Sequence, residues 1–258
     1  MKLDEFGDRM KDYEQVYTSA RVIPTDYLCV RIDGKNFSKF TKGFVKPFDI
    51  NLRNAMVHVT KALVKETHAS FGYTQSDEIT LIYSPSEKGS EYVFGGKVSK
   101  LNSIIASMAA AHFNSYLLQF DVDKLAYFDC RSFAAPSQIE ASNVVLWRVQ
   151  DARKNSISAL FRWTAGQRAM NGLDQNQMKT YLIENHNIDW NDLADCWKYG
   201  TYIKSVTVQR KLETSEFMKI PEKNRPEPDT LVTRTEIQLL DIGYFGDLSL
   251  DQRMEMVK

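Results

Sequence analysis

Two short acidic segments carry the residue types needed for metal-assisted chemistry. Asp33-Gly34 closes an apolar run of strand length, Tyr27 to Asp33, and Gln75-Ser76-Asp77-Glu78 lies where two apolar segments reverse direction. If those strands are neighbours in one sheet, Asp33 and Asp77 meet at one edge. Two carboxylates in close approach are costly unless cations lie between them. Magnesium suits such a pair, because it takes hard oxygen ligands and leaves positions open for phosphate oxygens. Two such ions activate an attacking oxygen and stabilise a leaving one in phosphoryl transfer. The alternative is an ordinary Asp-Gly turn and a solvated hairpin tip, and spacing alone does not choose between the two.

Other chemistries lack their residues. No GxGxxG or GxxxxGK[ST] phosphate loop occurs. Cys29, Cys130 and Cys196 form no CxxC pair, and His58, His68, His112 and His186 do not complete a zinc cluster.

The elements that must position the acidic segments follow from periodicity. A polar-faced helix is expected over Asp4 to Glu14, before the Tyr27 to Asp33 strand. Asp49 supplies an N-cap for a helix on which Leu52, Met56, Val59 and Leu63 recur at helical spacing. Ser70 to Tyr83 reads as a hairpin, with Phe71 and Tyr73 on one arm and Ile79, Leu81 and Tyr83 on the other. Beyond it come a helix over Val98 to Leu118, a strand over Leu125 to Phe133 and a helix over Ser142 to Arg162. The last third holds a short helix over Gln175 to Glu184 and a strand over Thr201 to Arg210. A polar loop with Pro221, Pro226 and Pro228 then leads to a strand over Leu231 to Leu239. This order predicts an α+β fold, a mixed and largely antiparallel sheet flanked by helices, rather than a doubly wound parallel sheet.

The chain has 258 residues, of which 43% are hydrophobic, and its 33 Lys+Arg balance 33 Asp+Glu. That composition excludes bulk disorder and a wholly basic nucleic-acid coat, but not a local basic groove. Basic residues crowd Arg31 to Lys46, while acids gather at Glu184 to Asp195 and Glu227 to Asp229. Scattered cysteines read as reduced thiols. The first residues carry charge instead of the apolar core of a signal peptide, and the longest apolar stretch, Ile104 to Phe113, is too short to span a bilayer. A soluble cytoplasmic protein without membrane contact is expected.

The longer context of both acidic segments carries a resemblance. Arg31-Ile32-Asp33-Gly34-Lys35-Asn36-Phe37-Ser38-Lys39-Phe40, Phe44-Val45-Lys46-Pro47-Phe48-Asp49 and Tyr73-Thr74-Gln75-Ser76-Asp77-Glu78 resemble the tRNA-His guanylyltransferase family, which includes guanylyltransferase-like 3′–5′ polymerases. The likeness continues through Gly96-Lys97-Val98-Ser99-Lys100, Phe128-Asp129-Cys130-Arg131-Ser132-Phe133 and Trp147-Arg148-Val149-Gln150-Asp151. It is weaker at Lys198-Tyr199-Gly200-Thr201 and Thr233-Arg234-Thr235.

The resemblance implies a polymerase-palm-like catalytic domain over residues 1–258, with a core over about 4–140 and a helical and hairpin extension over about 141–258. It implies two magnesium ions held by Asp33, Asp77 and the Gly34 carbonyl, with Glu78 in a supporting catalytic role. Lys46 and Ser76 match positions used in activating the 5′ end. The nucleotide-binding stretch would be Asp33, Gly34, Lys35, Asn36, Phe37 and Ser38, completed by Ser76 and Asp77. GTP and ATP would be substrates and tRNA the partner, in a homotetramer. Lys97 and Lys100, three apart on one helix face, would grip a triphosphate, although an ordinary solvated face gives the same spacing.

Trp147, Asp151 and Asn155 share a helix face, and the resemblance implies a place in the nucleotide site for Asn155, which stands near the Asn of the family pattern. After Asp151 the eukaryotic pattern His-Ile-Asn-Asn-Leu-Tyr-Asn is replaced by Ala152-Arg153-Lys154-Asn155-Ser156-Ile157-Ser158. That departure looks like the bacterial and archaeal members and favours templated repair of 5′-truncated tRNA over addition of a single G to tRNA-His. Arg153, Lys154 and Arg162 on the helix, with Lys204, Arg210 and Lys211 on the late strand, are candidate tRNA phosphate contacts, against the equal alternative of solubilising charges. Two other readings stand beside this one: a palm-fold nucleotide cyclase, for which no Gly-Gly-Asp/Glu-Glu-Phe signature is present, and a non-catalytic tRNA-binding protein.

Overall fold

A strand buried on both faces reads as a continuous apolar run, and β1 (Tyr27–Gly34) is such a strand in the computed structural model, which describes residues 3–85, 91–120, 122–227 and 229–258. Leu28, Val30 and Ile32 point to one face and Cys29 to the other, all fully buried. β1 lies between β3 (Glu78–Tyr83) and β4 (Phe128–Ala135), antiparallel to both. β2 (Phe71–Gln75) joins β3 through a two-residue turn, and β5 (Thr201–Lys211) and β6 (Leu231–Leu240) complete the order β4-β1-β3-β2-β5-β6. Every pairing is antiparallel. The sequence-based α+β expectation holds. β5 and β6, from beyond residue 140, continue the same sheet.

Helices cover both faces. On one face α3 (Ile50–Thr67) and α4 (Val98–Leu117) bury Met56, Val59, Leu63, Leu101, Ile105 and Phe113 against Val30, Ile32, Ile79 and Leu81. The Asp49 side chain caps α3 by accepting from the amides of Asn51 and Leu52 at 2.9 Å. Gly72 lets α3 approach closely, since a Cβ there would lie 2.7 Å from Val64. On the other face α5 (Gln138–Ala165) lays Ala141, Val145, Val149 and Ala152 on Cys29, Phe71, Tyr73 and Ile82. Its far end packs with α6 (Gln175–His186) around Trp190. The N-terminal α1 (Leu3–Thr18), the single-turn α2 (Phe37–Phe40) and α7 (Asp195–Lys198), the short α8 (Thr214–Lys219) and the C-terminal α9 (Leu250–Val257) complete the described helices. Among the described residues no helix is long and apolar enough to cross a membrane.

Two boundaries differ from the sequence-based expectation for physical reasons. β4 begins at Phe128 rather than Leu125, because the Asn114 side chain takes both the amide and the carbonyl of Ala126, at 2.8 and 3.0 Å, outside the ladder. α5 begins at Gln138 rather than Ser142, because the Ser137 hydroxyl caps its first turn through the Glu140 amide. Pro228, assigned to the polar loop, lies outside the described residues, and that loop contains α8.

Phe113 ties α4 to the loop after β1, with its ring centroid 5.5 Å from Phe37 and 5.3 Å from Phe128. Phe113→Ala is expected to cost about 3–5 kcal/mol, seen as a lower urea midpoint at unchanged slope.

Candidate active site

The antiparallel register of β1 and β3 sets Asp33 directly opposite Glu78. The β2–β3 turn then carries Asp77 past the strand end, with Ser76 in the left-handed region at φ 55°. The Gly34 amide donates to the Asp77 carbonyl at 3.1 Å, which pins the turn to the end of β1. Asp33 and Asp77 therefore come together, as the spacing predicts for neighbouring strands. Gly34 is required by close approach: a Cβ there would lie 2.2 Å from the Phe37 ring.

Burial pushes the Asp77 carboxyl above its ordinary range. The Ser76 hydroxyl, donating at 3.0 Å, and a backbone amide oppose the rise, and the Asp33 carboxylate adds to it. Among the described residues neither Asp33 nor Asp77 has an ion-pair partner within the chain. Glu78 differs. Arg148 of α5 donates to both its oxygens, at 2.5 and 2.8 Å, and to Asp151 at 2.7 Å. Burial raises the Glu78 carboxyl and this bidentate pair holds it back. The Arg148 guanidinium lies 4.5 Å from the Trp147 ring centroid, and Arg31 lies 5.4 Å from that ring. Glu78 is thus committed to Arg148, a partner the sequence reading named only within a motif. Its i,i+3 spacing to Asp151 was the available signal.

Two cavities share this wall. One of about 410 Å³ is lined by Asp33, Glu78, Arg148, Asn155, Arg53 and the stacked rings of Phe48 and Trp197, whose centroids are 5.2 Å apart. The other, of about 480 Å³, is lined by Ser38, Thr41 and Lys46, with the Lys46 ammonium 3.3 Å from the Thr41 hydroxyl. Ser76, Asp77, Asp49 and Arg162 border both. Phe48 stands in a quoted motif without a role assigned to it, and Arg53 and Trp197 carried no motif signal, because remote elements bring the three together.

Several expected site residues lie elsewhere or are otherwise engaged. The Phe37 side chain is core, packed on Phe40, Phe113 and Phe128, while Lys35 and Asn36 are exposed beside it. Lys97 and Lys100 sit at the start of α4, next to Arg21 and Ala20. Phe113, near the far end of that helix, adjoins Phe37 and Phe128, so about 20–24 Å along the helix axis separates the two lysines from the end of β1 within one chain. Of the candidate tRNA contacts, Arg210 is paired with Glu216 and Glu236, Lys211 with Asp229, and Lys204 with the Glu255 carbonyl. Arg153 lies between the Trp190 and Tyr244 rings. Lys154 and Arg162 remain exposed and without ion pairs among the described residues.

The profile of the tRNAHis guanylyltransferase family matches residues 7–136, the half of the chain that holds both acidic segments. The chain belongs to that family. A bacterial tRNA(His) guanylyltransferase-like protein in complex with ATP is 37% identical, with a TM-score of 0.74 over 77% of this chain and 88% of that one. A bacterial like-protein in complex with GTP is 30% identical, with a TM-score of 0.71 over 98% of this chain and 99% of that one. An uncharacterised protein of Acanthamoeba polyphaga mimivirus is 34% identical over 231 residues, 80% of this chain and 79% of its own length. The family's guanylyltransferases are nucleotidyltransferases, and this chain is an enzyme of that class.

The unmet charge at Asp77 has a measurable cost. A carboxyl whose folded-state pKa lies above its ordinary 3.8 loses stability as pH rises from the ordinary value through the folded one. In chelator, Asp77→Asn is expected to melt about 2–4 °C higher than the parent at pH 7. That gap should close as the pH falls toward the ordinary carboxylate range. A variant that melts lower at pH 7 contradicts the reading.

Proposed function

We propose that the chain adds nucleotides to the 5′ end of tRNA in the 3′–5′ direction by magnesium-dependent nucleotidyl transfer, and that its task is templated repair of 5′-truncated tRNA. The observation that carries this reading is the meeting of Asp33 and Asp77 at adjoining strand ends, on a wall between two cavities. Two cavities at one acidic pair suit a reaction that joins two phosphorylated substrates.

Magnesium fits the donors. Asp33, Asp77 and the Gly34 carbonyl offer hard oxygens, and the raised Asp77 carboxyl marks negative charge without a cationic partner. Among the described residues no cluster of three His, Cys, Asp or Glu side chains converges in metal-binding geometry, so phosphate and water oxygens would complete the shell, as is usual for this ion. When bound, magnesium would activate the attacking oxygen and neutralise charge on the leaving phosphate.

The chain's own residues do the positioning. In activation, the tRNA 5′-monophosphate attacks the α-phosphorus of ATP and pyrophosphate leaves. In addition, the 3′-hydroxyl of an incoming triphosphate attacks the activated 5′-phosphate and AMP leaves. Lys46, Ser38 and Thr41 would hold phosphate oxygens in the lobe of about 480 Å³ beside Ser76, and Arg162 reaches both lobes. Asn155 borders the lobe with Phe48 and Trp197. Arg148 fixes Glu78, and through it the end of β3 that aims Asp77. No protein nucleophile is needed, since orientation and charge neutralisation carry such transfers.

Repair in preference to single-G addition rests on the Ala152 to Ser158 segment, which lacks the eukaryotic His pattern. A cytoplasmic setting is supported by three free thiols, and a tetramer by the family resemblance.

Asp33→Ala and Asp77→Ala should each reduce nucleotide addition to a 5′-truncated tRNA by at least about a thousandfold while the circular dichroism spectrum is retained. Near-parental turnover by either folded variant refutes the metal assignment. Lys46→Ala should slow addition to a 5′-monophosphorylated tRNA by about tenfold or more relative to a 5′-triphosphorylated one. Equal losses on both substrates would remove Lys46 from activation.

A further inference from the structure

Away from the acidic pair, a groove of about 970 Å³ opens between α3, α4 and the β5–β6 ribbon. Resting on the reading of this chain as a tRNA enzyme, we infer that this groove holds the phosphate backbone of the tRNA whose 5′ end occupies the active site. Its helical wall presents Lys61 and Lys65, the imidazoles of His58 and His112, and the single carboxylate of Glu66. That carboxylate is taken by His112, whose Nε2 lies 3.1 Å away. Lys61 and Lys65 form no ion pair among the described residues. The unbalanced charge of the groove is therefore positive.

The remaining lining groups are donors an anion can use. Burial, with His112 and Lys61 close by, holds the His58 pKa below its ordinary value, so the ring is a neutral donor and acceptor near pH 7. The Ser205 hydroxyl on the opposite wall makes no side-chain hydrogen bond among the described residues. The volume is too large for one phosphate and suits a run of them. Size, sign and donor type together match a nucleic-acid backbone.

Two elements, α3 and β5, run from the active site to the groove. On α3, Met56 lines the catalytic cavity and His58, Lys61 and Lys65 line the groove, which begins two residues on and extends nine residues, or about 14 Å, along the axis. On β5, Thr201 lines the cavity and Ser205 the groove, four residues or about 13 Å along the strand. That span equals about four steps of a duplex strand at 3.4 Å per charge. A stem entering with its 5′ end at Asp33 and Asp77 would pass the groove within its first turn.

The test measures binding of a 5′-truncated tRNA transcript to the full chain across a salt series, beside binding of GTP. The double variant Lys61→Ala, Lys65→Ala should weaken tRNA binding about tenfold or more and lower the slope of log K against log salt by about 1.5–2. GTP affinity should not change, and Lys61→Arg, Lys65→Arg should restore the slope. Parental tRNA binding with the slope unchanged in the alanine variant overturns the groove alone. An altered oligomeric state with that slope intact also overturns it, by making the groove a protein contact. A parental chain that binds GTP but no tRNA overturns both this inference and the proposed function.

Discussion

One short hydrogen-bonded join governs the site: the Gly34 amide on the Asp77 carbonyl, at the point where β1 ends and the β2–β3 turn begins. Everything chemical in the chain is referred to that point. Antiparallel pairing alternates side chains between faces, so a one-residue slip of β1 against β3 would send Asp33 to the opposite face. The slip is prevented by burial. Val30 and Ile32 lie on one face and Cys29 on the other, all without solvent exposure, and each has a partner layer of helix. The core thus sets the register, and the register sets the carboxylates.

Placing negative charge at a strand end has an electrostatic cost, which the fold handles in two ways. Glu78 is neutralised within the chain by Arg148, itself held by Asp151 and the Trp147 ring. Asp77 is left partly buried next to Asp33 with no internal cation among the described residues. A buried pair is weak evidence for stability, but it does fix geometry. The contrast separates a carboxylate that holds the frame from carboxylates left open to a ligand.

Cavities on both sides of Asp77 give the site its second property. The same residue borders a lobe with lysine and hydroxyl groups and a lobe with aromatic and amide groups. Arg162 spans both from the exposed side of α5. α3 contributes to each, and its far half turns a different set of residues, Lys61 and Lys65, toward the groove beside β5. One helix thus connects the reacting end to a surface that extends about 14 Å along its axis.

Much of this was legible in the chain itself. Local rules suffice for the β1 run, the Asp49 cap, the β2–β3 hairpin and the α3 and α4 stripes, because apolar period and capping chemistry act over a few residues. Motif resemblance marked Asp33, Gly34, Asp77 and Lys46. It also marked Phe37, whose ring the fold spends on the core, and Lys97 and Lys100, which α4 carries to its other end. Charge type suggested Arg210, Lys204 and Arg153 as tRNA contacts, yet carboxylates, a carbonyl and aromatic rings engage them. Sequence determined which groups were available and how each element forms. Tertiary structure alone decided which of them face one another, because Arg148 meets Glu78 across 70 residues and Trp197 meets Phe48 only when α5 and α7 pack on the sheet. Such contacts follow from layer packing, and no local period in the chain encodes them.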